Sequence, residues 1–285
     1  MSLIDTDDLR HAIAMSSTEA GIEWLGASLA RIDAAVDTAD AISLVSAPAR
    51  RRVGTHPITF ATQATIKPDG WAAGDAARLL FILRGAARAP EQSSAIAKQV
   101  YSFGDASERE VVARALPLLP HGEDLHALAL EIGRTNSVEL FSALALDNPY
   151  PARHYDQLEF NKLVLKGLFV GVDVSRISGL DERADAELAD MCMNYIQERL
   201  DAERPIPESI WFAMAPTASG AVLDTLLDAL AGDDPLQSLA AARALGRRAQ
   251  TDAGFTDLLR GRLPVGPNTG LSTEHLQALQ VLHRG

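Results

Sequence analysis

Apolar residues return at every third or fourth position along almost the whole chain, and short turns break them into runs. That spacing is the period of one face of an α-helix, so the chain is committed to helices that pack by their apolar stripes. In the stretch 18–33, Ile22, Leu25, Leu29 and Ile32 form such a stripe. Further helices are read at 39–50, 75–88, 91–103, 107–117, 122–133, 137–147, 154–170, 181–202, 207–214, 217–231, 235–248, 252–262 and 271–283. Asp234 before Pro235 reads as a cap ahead of a first-turn proline, and Gly246 reads as the residue that ends that helix. The longest irregular stretch is 51–73, with Gly54, Pro57, Pro68 and Gly70, and a short strand pair is read at Ile58–Thr65.

Short turns force successive helices to lie antiparallel. The fold class is therefore all-α, an irregular α-solenoid or HEAT-like array of antiparallel helical hairpins. GDDPLQSLAAARALGRRA looks like a HEAT-type helix, although no strict repeat period is present. The chain reads as one continuous domain: an N-terminal helical region over 1–105 with its loop at 51–73, then a helical array over 106–285.

Composition narrows the function classes. Aromatic residues make up only 5 % of a chain that is 47 % hydrophobic, so Ala, Leu and Val must do most of the packing. The formal net charge of −12 is the opposite of what phosphate neutralisation needs, which argues against nucleic acid as a partner. It also disfavours an anionic membrane surface, and no apolar run is long enough for a transmembrane helix. Acids stand in the first residues where a signal peptide needs bases, so a cytoplasmic location is expected. The single cysteine, Cys192, rules out an intrachain disulfide and a Cys-rich zinc site. No Walker loop, G-x-G-x-x-G, H-E-x-x-H or G-x-S-x-G occurs, and neither a cofactor nor a metal is expected.

The stretch from Asn148 to Trp211 stands apart. Prolines 149 and 151 bracket Tyr150 and stiffen the chain there, either as a helix corner or as the wall of a pocket. The helix read at 154–170 is apolar on nearly all sides, which predicts burial, yet Glu159, Lys162 and Lys166 share one of its faces. Buried charges need partners or a ligand. Residues 148–183 hold five acids and five bases, so this stretch is neutral within an acidic protein. An anionic or phosphorylated small molecule is one reading, and an internal salt-bridge network is the other. In the next helix Tyr195 and Arg199 point away from the solvated face, and Trp211 is read as packing.

NPYPARHYDQLEFNKLVLKGLFVG, RISGLDERADAEL, Met191, Tyr195, Glu198-Arg199 and Trp211 occur in an order that resembles the EboA family. The resemblance extends upstream through Ala115-Leu116-Pro117-Leu118-Leu119 and Arg134-Thr135-Asn136, and more loosely to Arg51-Arg52-Val53-Gly54. It implies a place in a bacterial and algal gene cluster for making or moving secondary metabolites, one of them an exported pigment precursor in cyanobacteria. The neighbours it implies resemble a TatD-type hydrolase, a prenyltransferase, a sugar-phosphate cyclase and an isomerase. It brings no established catalytic residues. Asp185 stands where the resemblance leads one to expect Asn, and an acid beside Arg183 weighs against a simple anion-binding role for that arginine.

Three readings follow. A non-enzymatic helical carrier or adaptor would bind a small metabolite, or a protein of the same gene cluster. Its ligand residues would be Asn148, Tyr150, His154, Glu159, Asn161, Lys162, Lys166, Arg176, Arg183, Tyr195 and Arg199. An enzyme of the same pathway would use His154 with Glu159 for acid–base chemistry and Lys166 as a nucleophile. A scaffold would offer a concave surface to other proteins.

Overall fold

Aspartate begins many of the helices. In a computed structural model, which describes residues 4–60, 66, 68, 70–263 and 271–279, Asp5, Asp37, Asp105, Asp156, Asp185, Asp234 and Asp252 each accept backbone N–H groups at a helix start. Part of the acidic excess is thus spent on orphan amides and on the positive end of the helix dipole.

Packing divides the chain into two compact units, Met1–Tyr155 and Asp156–Gly285, so position 105/106 lies inside the first of them. The first unit holds α1 (Thr6–Met15), α2 (Glu19–Ala34), α3 (Thr38–Ser46), α4 (Ala49–Val53), α5 (Ala73–Arg88), α6 (Ser93–Phe103), α7 (Ala106–Ala115), α8 (His126–Gly133), α9 (Val138–Ala145) and α10 (Tyr150–His154). The second holds α11 (Gln157–Val170), α12 (Leu180–Arg183), α13 (Ala186–Asp201), α14 (Ile210–Met214), α15 (Gly220–Ala231), α16 (Pro235–Ala249), α17 (Ala253–Arg262) and α18 (Thr273–Ala278). The all-α expectation holds: among the described residues there is no strand, only one isolated bridge between Pro57 and Ala72.

The first unit is organised around α5, which α1, α2, α3, α4, α6 and α7 all contact. Its central residues, including Leu79, Phe81 and Ile82, are fully buried for that reason. In the second unit α15 and α16 pair closely, and Phe160, Leu188, Ile210, Leu226, Leu245 and Leu259 lie in the interior.

Several boundaries differ from the sequence reading. The irregular stretch starts at Gly54, because α4 continues through Val53. Most of the strand pair read at Ile58–Thr65 lies outside the described residues; at its start Ile58 N donates to the Trp71 carbonyl at 2.8 Å and the Ile58 carbonyl accepts from Gly70 N at 2.9 Å. The helices read at 154–170 and 181–202 are each split by an aspartate cap, Asp156 and Asp185. Gly246 does not end α16, which runs on to Ala249. A Cβ at Gly246 would sit 1.9 Å from the Ala278 carbonyl oxygen, so this glycine lets α18 approach the α16 backbone.

A charged cluster is built into the first unit. Arg78 is 2 % exposed. Its Nε donates to the Ser46 carbonyl at 3.0 Å, and its guanidinium also donates to Asp75 Oδ1 at 3.1 Å and Ser107 Oγ at 2.6 Å. Asp75 in turn accepts two bonds from Arg50, at 2.8 and 2.7 Å. Such forked pairs suit the planar guanidinium.

Candidate functional site

The residues singled out in the sequence divide between the two units. Asn148, Tyr150 and His154 belong to the first. The Asn148 amide nitrogen donates to the carbonyls of Ala113 and Ala143 at 2.9 and 3.0 Å, and its oxygen accepts from Tyr150 N at 3.0 Å. The side chain is a strut joining α7, α9 and α10. Tyr150 is fully buried and its hydroxyl donates to the Gly122 carbonyl at 2.6 Å. Burial, with Glu123 nearby, pushes this phenol well above its ordinary pKa. The His154 ring stacks on Tyr150 with centroids 4.4 Å apart and packs against Gly122. Burial lowers the His154 pKa; Glu123 opposes that shift, while Arg153 and His126 add to it. These side chains make a rigid corner.

Glu159, Asn161, Lys162, Lys166, Arg176, Arg183, Tyr195 and Arg199 belong to the second unit. The charged face read on α11 is not enclosed. Lys162 is exposed, and Glu159 and Lys166 are half-buried. Glu159 closes a capping box with Asp156: its carboxylate accepts from Asp156 N at 2.9 Å, and Asp156 accepts from Glu159 N at 2.7 Å. Burial lowers the Lys166 ammonium below its ordinary range. Arg176 is exposed in the turn after α11. The helix leaves Leu158 45 % and Phe169 63 % exposed, so its apolar circumference is only partly covered.

Asn161 is the buried polar centre of this region. Its amide donates to Asp185 Oδ1 and accepts from Gln157, both at 2.9 Å. Gln157 also donates to the Arg183 carbonyl at 2.8 Å. The Arg183 guanidinium lies 4.6 Å above the Phe160 ring, a cation–π contact. Asp185 Oδ1 additionally accepts the Leu188 amide at 2.8 Å, so that carboxylate is engaged in starting α13.

Tyr195 and Arg199 alone among the candidates line a cleft of about 620 Å³. Leu168 and Phe169 at the end of α11 form one side. Gly171, in the left-handed conformation with φ 78°, ends that helix and turns the chain into Val172, Asp173 and Ser175. Pro205, Ile206, Pro207, Glu208 and Ser209 form a further wall, with Phe212 of α14 and Ala240 and Arg243 of α16 beyond it.

The proline segment is held by side chains. Pro205 and Pro207 lack N–H groups, so this stretch cannot close a helix, and its carbonyls need outside donors. Arg199 supplies two bonds to the Pro205 carbonyl, at 2.9 and 2.7 Å. Gln237 of α16 donates to the Ile206 carbonyl at 2.6 Å and accepts from the Trp211 indole at 2.7 Å. Trp211 is 3 % exposed and packs as read. Phe169 and Tyr195 face each other with centroids 4.9 Å apart, and Arg199 lies 5.8 Å from the Tyr195 ring. The sequence reading missed Phe169, Glu208, Phe212, Gln237 and Arg243; Pro205-Ile206-Pro207 was the available signal for the wall.

Elsewhere, Ser238 Oγ and His275 Nε2 are 2.9 Å apart, a distance also found in nucleophilic pairs. The Ser238 hydroxyl instead donates to the Leu230 carbonyl and is buried, so its proton is committed to α15. The Cys192 thiol is fully buried and pushed up to about 12 by that burial, which suits packing and not nucleophilic chemistry. Among the described residues no group of His, Cys, Asp and Glu has the arrangement to hold a metal ion, and no helix is long and apolar enough to cross a membrane.

The fold is all-helical among the described residues, and an open cleft with aromatic residues in its lining lies in the second unit. A family model described as metabolite traffic protein EboA matches residues 6–215, and the chain belongs to that family. No curated protein and no solved structure matches it. Of the cleft lining, only Ala240 and Arg243 lie beyond the matched residues.

Proposed function

We propose that this chain is a non-enzymatic carrier that holds a small metabolite in the cleft of its second unit. The observation that carries this reading is the cleft itself. About 620 Å³ is the scale of a small-molecule site, and its walls join aromatic rings to a few charged groups. Phe169 is 63 % exposed and lines this cleft, and a large exposed apolar side chain beside a concavity marks a binding surface. A wall fixed by Arg199 and Gln237 is preorganised, which lowers the entropy cost of binding. Of the eleven candidates read in the sequence, Tyr195 and Arg199 alone enter this proposal, Tyr195 as part of the lining and Arg199 as the residue that fixes the proline wall. The HEAT-like hairpin array enters the proposal only for the second unit, where α15 and α16 pack as sequence neighbours.

The test is native mass spectrometry on protein purified from its own host. Wild type is expected to retain a small molecule. Phe169→Ala is expected to lose it with little change in Tm, because that ring is mostly outside the core. Equal retention by the variant, or no retained molecule in wild type, contradicts the carrier reading.

A further inference from the structure

We infer that the cleft takes a ring-bearing zwitterion of the aromatic amino-acid class, with Glu208 holding its ammonium group and Arg243 its carboxylate. This rests on the cleft being the binding site. Four charged side chains line it: Asp173, Glu208, Arg199 and Arg243. Two are committed to the protein. Asp173 Oδ1 accepts from Ser175 N at 3.1 Å and from Ser175 Oγ at 2.6 Å, and Arg199 is committed to the Pro205 carbonyl. Arg247, one turn beyond Arg243 on α16, is likewise tied to Asp181 at 2.6 Å and to the Ser175 carbonyl at 3.0 Å.

Glu208 and Arg243 differ. Both are exposed, and neither side chain has a hydrogen bond or ion pair to another described residue. Asp173 and Arg199 keep their charges, since their partners are neutral, so the cleft presents charge of both signs, and Glu208 and Arg243 are its two charged side chains without a partner among the described residues. A ligand of a single sign would satisfy one of them and meet like charge at the other, which selects against it. A zwitterion satisfies both, with the guanidinium fork matching a carboxylate. Phe169, which is 63 % exposed, and Phe212 line the same cleft and supply apolar surface for a flat ring, with the buried Tyr195 backing Phe169. Arg243, on α16, lies outside the residues that the family model matches.

Isothermal titration of the full chain with L-phenylalanine, 3-phenylpropionate and phenethylamine tests the assignment. L-Phenylalanine is expected to bind roughly tenfold or more tightly than either analogue, each of which leaves one charged group unmet. Glu208→Gln should remove the preference over 3-phenylpropionate, and Arg243→Gln the preference over phenethylamine. Both are surface changes, and an unchanged Tm confirms the fold. The inference is overturned if 3-phenylpropionate matches L-phenylalanine, if either variant keeps its preference, or if no probe binds. If the probes fail while a host metabolite is still retained and is lost in Phe169→Ala, the zwitterion assignment falls and the carrier reading stands.

Discussion

Asp75→Ala is expected to destabilise the first unit by about 3–5 kcal/mol, because it removes one partner of a buried ion pair and leaves the other charged. Arg78 is 2 % exposed and cannot turn to solvent without abandoning its bonds to Ser46 and Ser107. Arg50 has a different fate. Its side chain is 43 % exposed, so it can rehydrate when its carboxylate is lost. The cost therefore falls mainly on Arg78. Replacing both members with apolar residues of similar volume, Asp75→Leu with Arg78→Met, should recover most of the loss. Urea unfolding of the two singles and the double variant measures this. Additive losses would mean that the two side chains do not act as a pair.

Gly246→Ala is expected to cost the second unit about 1–3 kcal/mol, the usual range for overpacking. The added Cβ would meet the Ala278 carbonyl at 1.9 Å, and a backbone atom cannot move aside as a side chain can. Either α18 lifts from α16 or the α16 backbone shifts. Lifting α18 would uncover Leu279, which is 1 % exposed, and break the Ser238–His275 bond. Hydrogen exchange should show faster exchange in α18 than in α15. Unchanged protection of α18 and an unchanged Tm would contradict the packing described.

How much of this was legible depends on how local the signal is. The stripe Ile22, Leu25, Leu29, Ile32 and the cap Asp234-Pro235 are local, and α2 and α16 begin within a residue or two of their expected starts. The split at Asp156 was written in the sequence as well, since Asp156 and Glu159 have capping-box spacing. The apolar run that follows Asp156 outweighed that signal. Phasing alone cannot say which face finds a neighbour. Leu158 and Phe169 fit a buried helix by pattern, yet they stay exposed because no element covers them fully. Arg78 sits in an apolar run, and the groups that make its burial tolerable, Ser46, Asp75 and Ser107, come from three different places in the chain.

The same distinction applies to the site. Tyr195 and Arg199 could be found because helical phasing turns them from the solvated face of α13. Glu208 and Arg243 read as ordinary surface charges. They become notable only when the fold brings the segment after α13 and the middle of α16 to one cleft, where their neighbours Arg199 and Arg247 are already engaged.

The most direct measurement is a crystal structure of the protein purified from its own host without added ligand. The account predicts ordered density for a small molecule in the cleft, against Phe169 and Tyr195, with polar atoms at Glu208 and Arg243. A cleft that holds only water, while the molecule the protein retains sits elsewhere on the chain, would contradict it.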